Sequence, residues 1–270
     1  MSLPRMQPKD GVAWITGASS GIGAAVALEL ARRGWTVAIT ARRLELLEAI
    51  AERAVGLPGR IVAHAGDVTD ADAMRTVVDG IEHVHGPIAL AFINAGMAPY
   101  SKDAPLDLGA LDRAIEVNLL GVARSLFPVL ERMKARQRGQ IAVTASVAGY
   151  GGLPGGPAYG TSKAAAIHLC QALKLDCDPL GIRVQVVNNG FVDTEMTRRH
   201  NRYKMPLLMP AEEAARRVVD GFARGGFEIV FPRRMVWPLK LINLLPYPLY
   251  FALMQRFANR RRPGSPGADP

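Results

Sequence analysis

The chain of 270 residues predicts a doubly wound α/β fold, a parallel sheet with helices on both faces. Short β-branched runs alternate with longer segments of helical period, the pattern of repeated strand–helix units. The short runs are apolar on both faces instead of alternating, as strands covered by helices on either side must be. No linker or internal repeat breaks the pattern before Arg233, so a single domain over 11–232 is expected behind an N-terminal extension over 1–10.

In order along the chain, 12–16 is the first expected strand and 22–33 the helix behind it, closed by Gly34. Strand 36–40 precedes helix 44–55, and strand 61–65 precedes helix 71–83. Strand 88–93 is followed by a long helical stretch, 111–136. Strand 140–145, helix 158–177, strand 184–187 and a last strand over 227–231 complete the pattern. Residues 263–270 (PGSPGADP) read as a disordered tail.

Composition excludes several classes. With 49% hydrophobic and 21% charged residues, the chain is ordinary globular protein. The net charge of +9 is uneven: 233–270 carries seven basic residues against Asp269, which leaves only +3 on the first 232 residues. A nucleic-acid stripe across the main domain is therefore not expected. Cys170 and Cys177 lie on one expected helix, about 10 Å apart at helical rise, beyond the roughly 7 Å reach of a disulfide. They read as buried hydrophobes in a reducing, cytoplasmic setting. The five histidines show no metal-ligand spacing, and no metal is expected. Arg132, Lys134, Arg136 and Arg138 end a helix and are expected to complement its dipole. Residues 1–11 lack the apolar run of a secretory signal.

Two long uncharged stretches, 11–28 and 139–162, are broken by Gly and Ser and cannot be spanning helices. They hold the candidate chemistry. In the first, Thr16-Gly17-Ala18-Ser19-Ser20-Gly21-Ile22-Gly23 joins the first strand to the first helix. Glycines there permit a tight turn and close approach of backbone to a diphosphate, with helix N–H groups facing it. The plainer reading is turn chemistry alone.

At these residues the sequence resembles the short-chain dehydrogenase/reductase family, over roughly 10–231. The T-G-x3-G-x-G turn matches Thr16 to Gly23, and the adenine-contacting acid matches Asp67, followed by Val68. Asn94-Ala95-Gly96 matches the N-A-G after the fourth strand, and Asn118 the helix asparagine of the tetrad. Ser146 follows the fifth strand, and Tyr159 with Lys163 is the Y-x3-K pair. The resemblance implies a Rossmann-type fold, a nicotinamide cofactor held by Gly17, Ser19, Ser20, Gly21, Ile22 and Gly23, and a homodimer or homotetramer. Later contacts are implied at Gly190, Val192 and Thr194, where Asn189 replaces the family's proline and a less rigid loop is expected.

An acid at the end of the second strand would select NAD(H), by accepting from the ribose 2′-OH and repelling a 2′-phosphate. Thr40-Ala41-Arg42-Arg43 has two arginines instead, which predicts NADP(H), unless both are merely solvated. In the tetrad, Tyr159 is the expected acid or base, its pKa lowered by the Lys163 ammonium together with the positive nicotinamide ring of the oxidised complex. Lys163 is also expected to hold the nicotinamide ribose, Ser146 the substrate oxygen, and Asn118 a water that links Lys163 to solvent.

The function so implied is interconversion of a ketone and a secondary alcohol. Met196, Met205, Leu207, Leu208 and Met209, in the expected lid over 194–210, favour a lipophilic substrate of lipid, steroid-like or retinoid-like type. The alternatives are a 3-oxoacyl-carrier-protein-type reductase and a non-catalytic cofactor-sensing protein on the same fold.

Residues 233–262 form an apolar and basic C-terminal extension in which Lys240 and Arg256 bracket fifteen uncharged residues broken by Pro246 and Pro248. That run is too short to span a bilayer. Over 235–257 it fits two short helices lying peripherally in an anionic membrane interface. It fits equally a segment folded over the substrate cleft or into a subunit interface, and the sequence leaves these open.

Overall fold

The computed structural model describes residues 3–99, 107–199 and 205–259. Its elements run β1 (Val12–Thr16), α1 (Gly21–Arg32), β2 (Thr36–Ala41), α2 (Leu44–Glu52), β3 (Arg60–Ala65), α3 (Ala71–His85) and β4 (Ile88–Ile93). Then come α4 (Leu108–Ile115), a π turn (Glu116–Leu120), α5 (Gly121–Ala135), β5 (Gly139–Thr144), α6 (Pro157–Cys177) and β6 (Ile182–Asn189). The chain closes with β7 (Val192–Asp193), α7 (Glu195–Arg199), β8 (Met209–Pro210), α8 (Ala211–Arg224), β9 (Glu228–Phe231), α9 (Arg233–Ile242) and α10 (Tyr247–Asn259).

Seven parallel strands form one sheet in the order β3-β2-β1-β4-β5-β6-β9. The seven expected strands are these seven. β1, β4 and β5 are buried along their whole length, because α1, α2 and α8 cover one face and α3, α5 and α6 the other. Strand order reverses between β1 and β4, so the carboxyl ends of these strands open the crevice where ligands bind in such sheets.

Four features differ from the sequence expectation. The stretch 111–136 is not one α-helix: a π turn, with Gly121 N–H bonded to the Glu116 carbonyl, divides α4 from α5. Helix α8 is an additional element, and its Ala214, Ala215, Val218, Val219 and Phe222 face the core beside α1. The short pair β7–β8, with Val192 opposite Met209, ties the end of the candidate lid to the segment after β6. The helix-ending arginines are engaged by carboxylates as well as by the helix dipole: Arg132 pairs with Asp79, Arg136 with Glu82 and Arg138 with Asp10. Cys170 and Cys177 are free thiols buried on α6, as expected.

Candidate active site

The Gly-rich turn sits where β1 meets the reversal of strand order. Gly17 has φ +65°, a region open to glycine, and a Cβ there would lie 2.6 Å from the Ala95 Cα. A Cβ on Gly23 would strike the Gly17 carbonyl and come within 2.7 Å of Asn94 Nδ2. Thr16 Oγ1 accepts from the N–H groups of Asn94 and Ala95, at 3.0 and 3.1 Å. Asn94 Nδ2 donates to the Thr16 and Gly17 carbonyls, and Thr144 Oγ1 donates to Asn94 Oδ1 at 3.0 Å. These bonds stitch the ends of β1, β4 and β5 into a fixed floor.

At the start of α1, Ser20 occupies the N-cap position without a side-chain cap bond, so the first-turn N–H groups face the turn. Gly21, at φ +57°, would place a Cβ 3.1 Å from Thr194 Cγ2, which brings the segment after β6 against the same turn. Ser19 and Ile22 flank this spot, both partly exposed. Arg42 and Arg43 follow β2, exposed, with no side-chain hydrogen bond or ion pair among the described residues. Asp67 accepts from the Thr69 N–H and hydroxyl at 3.0 and 2.9 Å, while Val68 packs against Gly121. The turn, with its glycine-only clearances, uncapped helix end and two unpaired arginines, fits a dinucleotide carrying an extra phosphate.

Asn118, Ser146, Tyr159 and Lys163 converge beside this floor. Tyr159 and Lys163 share one face of α6 by helical spacing, and Lys163 Nζ lies 5.7 Å from the Tyr159 ring centroid. Ser146 leaves the end of β5, where its Oγ accepts from the Ala148 N–H at 3.2 Å and contacts the Asn189 carbonyl at 3.5 Å. Lys163 is almost fully buried and donates to the Thr144 carbonyl at 2.9 Å. Asn118 is fully buried in the π turn: its Oδ1 accepts from Met97 N–H, and its Nδ2 donates to Met97 O and Ser162 Oγ, all within 2.8–2.9 Å. Its carboxamide is thus committed to protein partners. Gly96 lies between the two, with a Cβ position 3.1 Å from Asn118 Oδ1 and 3.3 Å from Lys163 Nζ.

Burial acts on both members of the Tyr159–Lys163 pair. Tyr159 is partly exposed as a residue, yet burial pushes its phenol up from the usual range, and the hydrogen bond with Ser146 only partly opposes this. Burial brings the Lys163 ammonium down to about 8. The ammonium and the positive ring of an oxidised nicotinamide favour phenolate, and desolvation acts against them.

The loop after β6 is tied in ways that offset the missing proline. Asn189 Nδ2 donates to the Gly190 carbonyl at 2.9 Å, and Gly190 N–H to the Phe231 carbonyl at 2.8 Å. Thr197 Oγ1 donates to the Val192 carbonyl at 2.7 Å and accepts from the Thr194 N–H at 2.9 Å. In the candidate lid, Leu207 and Leu208 are about half exposed, Met205 is half-buried and Met209 buried, and 200–204 fall outside the described residues.

Sequence reasoning missed a polar cluster next to Ser146. The Tyr150 hydroxyl donates to Glu228 at 2.6 Å, Asn188 Nδ2 donates to the same oxygen at 2.7 Å, and Lys240 pairs with the other. Burial pushes Glu228 up, but bonds from Lys240, Tyr150 and Asn188 outweigh it and hold the carboxyl below its ordinary range. From the extension, Asn243 donates to the Tyr150 carbonyl and Tyr250 to the Gly152 carbonyl, at 2.8 and 2.7 Å. The gap between this loop and α9–α10 is only about 10 Å³, so the extension packs directly on 147–153. The only sequence signal was Tyr150 itself, four residues beyond Ser146.

The family profile described as short chain dehydrogenase matches residues 11–204. The chain belongs to the short-chain dehydrogenase family. It is 35% identical over 244 residues, 90% of this chain and 96% of the relative, to an uncharacterized oxidoreductase of Myxococcus xanthus. It is 34% identical to a 3-oxoacyl-[acyl-carrier-protein] reductase of Thermotoga maritima, over 72% of this chain and 79% of that one. A short-chain dehydrogenase from Sphingobium yanoikuyae, solved with NADPH, superposes with a TM-score of 0.75 at 26% identity, covering 96% of this chain and 99% of that one. The uncovered remainder is shorter than α9 and α10 together, so the likeness reaches into the extension. As a family member the chain is an oxidoreductase acting on alcohol or carbonyl groups.

Proposed function

We propose that this short-chain dehydrogenase is an NADP(H)-dependent enzyme interconverting a ketone and a secondary alcohol on an apolar substrate. The observation that carries the reading is the convergence of Tyr159, Ser146 and buried Lys163 beside the Gly17–Gly23 turn. Gly17, Ser19, Ser20, Gly21, Ile22 and Gly23 would hold the diphosphate, Asp67 and Val68 the adenine side, and Asn94, Ala95, Gly96, Gly190, Val192 and Thr194 the nicotinamide side. Arg42 and Arg43, exposed and unpaired among the described residues, would take the 2′-phosphate in fork geometry. The NADPH bound to the Sphingobium relative supports the same choice.

The nicotinamide supplies or accepts the hydride when bound. Ser146 Oγ donates to the substrate oxygen and fixes it against the Tyr159 hydroxyl. Tyr159, held as a neutral phenol by burial, gives its proton to that oxygen in reduction and recovers one in oxidation. Lys163, anchored by the Thr144 carbonyl, keeps its ammonium beside the phenol and would hold the ribose. Asn118 positions the Met97 loop and Ser162 around this group.

An apolar substrate is supported by the half-exposed Leu207 and Leu208 in the segment that leads into β8. A homo-oligomer is part of the same reading, through the outer faces of α5 and α6, where Phe127 and Leu175 are exposed. The test is NADPH oxidation against ketones of graded chain length, with a 3-oxoacyl thioester as comparator. Rates should rise with chain length, and Tyr159→Phe should lower kcat by at least about 100-fold while NADPH binding is retained. Preference for short polar ketones, or an active Tyr159→Phe, overturns the reading; preference for the thioester assigns the carrier-linked class instead.

A further inference from the structure

We propose that the outer face of α9 and α10 docks on an anionic lipid bilayer surface. Trp237, Leu241, Leu244, Tyr247, Leu249 and Phe251 are between 54% and 81% exposed, a concentration of large apolar side chains within fifteen residues. Trp237 and Leu241 are one helical turn apart on α9, and Leu244 follows in the turn after its C-cap. Tyr247 and Phe251 are one turn apart on α10, their rings stacked at 5.8 Å.

The opposite faces of these helices are already occupied. Val236, Tyr250 and Met254 are buried, and Asn243 and Tyr250 bond to the 150–152 backbone, which fixes the pair with its apolar stripe outward. The substrate-cleft alternative therefore concerns the inner face and leaves the outer one uncovered.

Charge decides the occupant. From Arg233 to Asn259 there is no acidic residue, Arg233, Arg234 and Arg256 are exposed, and the sequence continues Arg260-Arg261-Arg262. A second copy placed face to face would set cations against cations around the apolar stripe. An anionic lipid surface offers the opposite charge to the arginines and hydrocarbon to the stripe, with Trp237 and Tyr247 suited to the headgroup boundary. Helices of 10 and 13 residues reach only about 15 and 20 Å, so they lie in the interface. No helix among the described residues is long and apolar enough to cross a membrane.

The experiment is co-sedimentation of the full-length protein with phosphatidylcholine vesicles and with vesicles containing about 30% phosphatidylglycerol. Binding is expected to the anionic vesicles, weakening between about 0.1 and 0.5 M salt. Trp237→Ser and Leu244→Ser should each lower partitioning about 10-fold. Arg233→Gln and Arg234→Gln should each lower it about five-fold. All four should keep the parent thermal midpoint and its rate on a water-soluble ketone. Absence of sedimentation, equal binding to both vesicles, or variants that bind like the parent each overturn the proposal. So does self-association in solution that Trp237→Ser abolishes, which would give the face to a second copy.

Discussion

Replacing Asn118 by alanine tests whether its carboxamide is the pin that holds the site together. The substitution removes an acceptor for Met97 N–H and donors to Met97 O and Ser162 Oγ, in a position with no solvent exposure. A made hydrogen bond contributes about 1 kcal/mol net, and each buried group left unpaired costs about 1–3 kcal/mol. Met97 is partly exposed and Ser162 retains the Tyr159 carbonyl, so water and rotation recover some of the loss. The balance is a destabilisation of about 2–4 kcal/mol. In a chain this long about 2 °C of thermal midpoint follows each kcal/mol, which gives a fall of about 4–8 °C.

Turnover should fall as well, because Gly96, next to Met97, passes so close to Lys163 that even an added Cβ would lie 3.3 Å from its Nζ. A loop freed at Met97 carries this spacer with it, and a displacement of about 1 Å at reacting groups costs on the order of 100-fold. Thermal melts and steady-state kinetics on the same preparation decide the matter. An unchanged midpoint beside a collapsed kcat would refute the clamp and return Asn118 to a proton path. An unchanged value of both would remove it from the site altogether.

Three further outcomes follow from the same geometry. Arg42→Asp should raise KM for NADPH by about 10–100-fold and improve use of NADH, as a charge-assisted pair is lost and a ribose acceptor gained; unaltered preference in cofactor titrations would reject the assignment. Gly17→Ala, whose Cβ would sit 2.6 Å from the Ala95 Cα at a positive φ, should weaken NADPH binding about 10-fold or more and cost about 1–3 kcal/mol, read by fluorescence titration and melting. Glu228 has a depressed folded pKa, so its stabilisation is present above the unfolded value near pH 4.3 and disappears as pH falls through the folded value. Glu228→Gln should cost about 1–2 kcal/mol at pH 7 and flatten the loss of thermal midpoint between about pH 5 and 3; an identical acid limb in both proteins would show that another group titrates.

The strands were legible because burial on both faces writes itself as continuous apolar runs, and the seven-stranded sheet needs little else. The candidate tetrad was legible through the resemblance to a known family, since only the Tyr159–Lys163 spacing of one helical turn speaks for itself in the residues. The π turn was not, since one extra residue in a turn hardly disturbs a hydrophobic period read over many turns. The Tyr150–Glu228–Lys240 cluster joins residues up to 90 positions apart, and only the β6–β9 register brings Asn188 and Glu228 near each other. Lys163's partner, the Thr144 carbonyl, is a backbone atom and leaves no trace in side-chain identity.

The directions of the Tyr159 and Lys163 shifts, taken together, say how the site is held ready. A buried phenol raised above its ordinary range resists losing its proton, and a buried ammonium lowered to about 8 resists keeping its own. Desolvation thus opposes both halves of the ion pair that sequence reasoning assumed, and the Thr144 carbonyl gives the ammonium one acceptor where water would give it three. An ammonium lowered only to about 8 still keeps most of its charge at pH 7, so the resting pair is an ammonium beside a neutral phenol. The strand ends that carry Thr16, Asn94 and Thr144 hold this pair beside the Gly-rich turn.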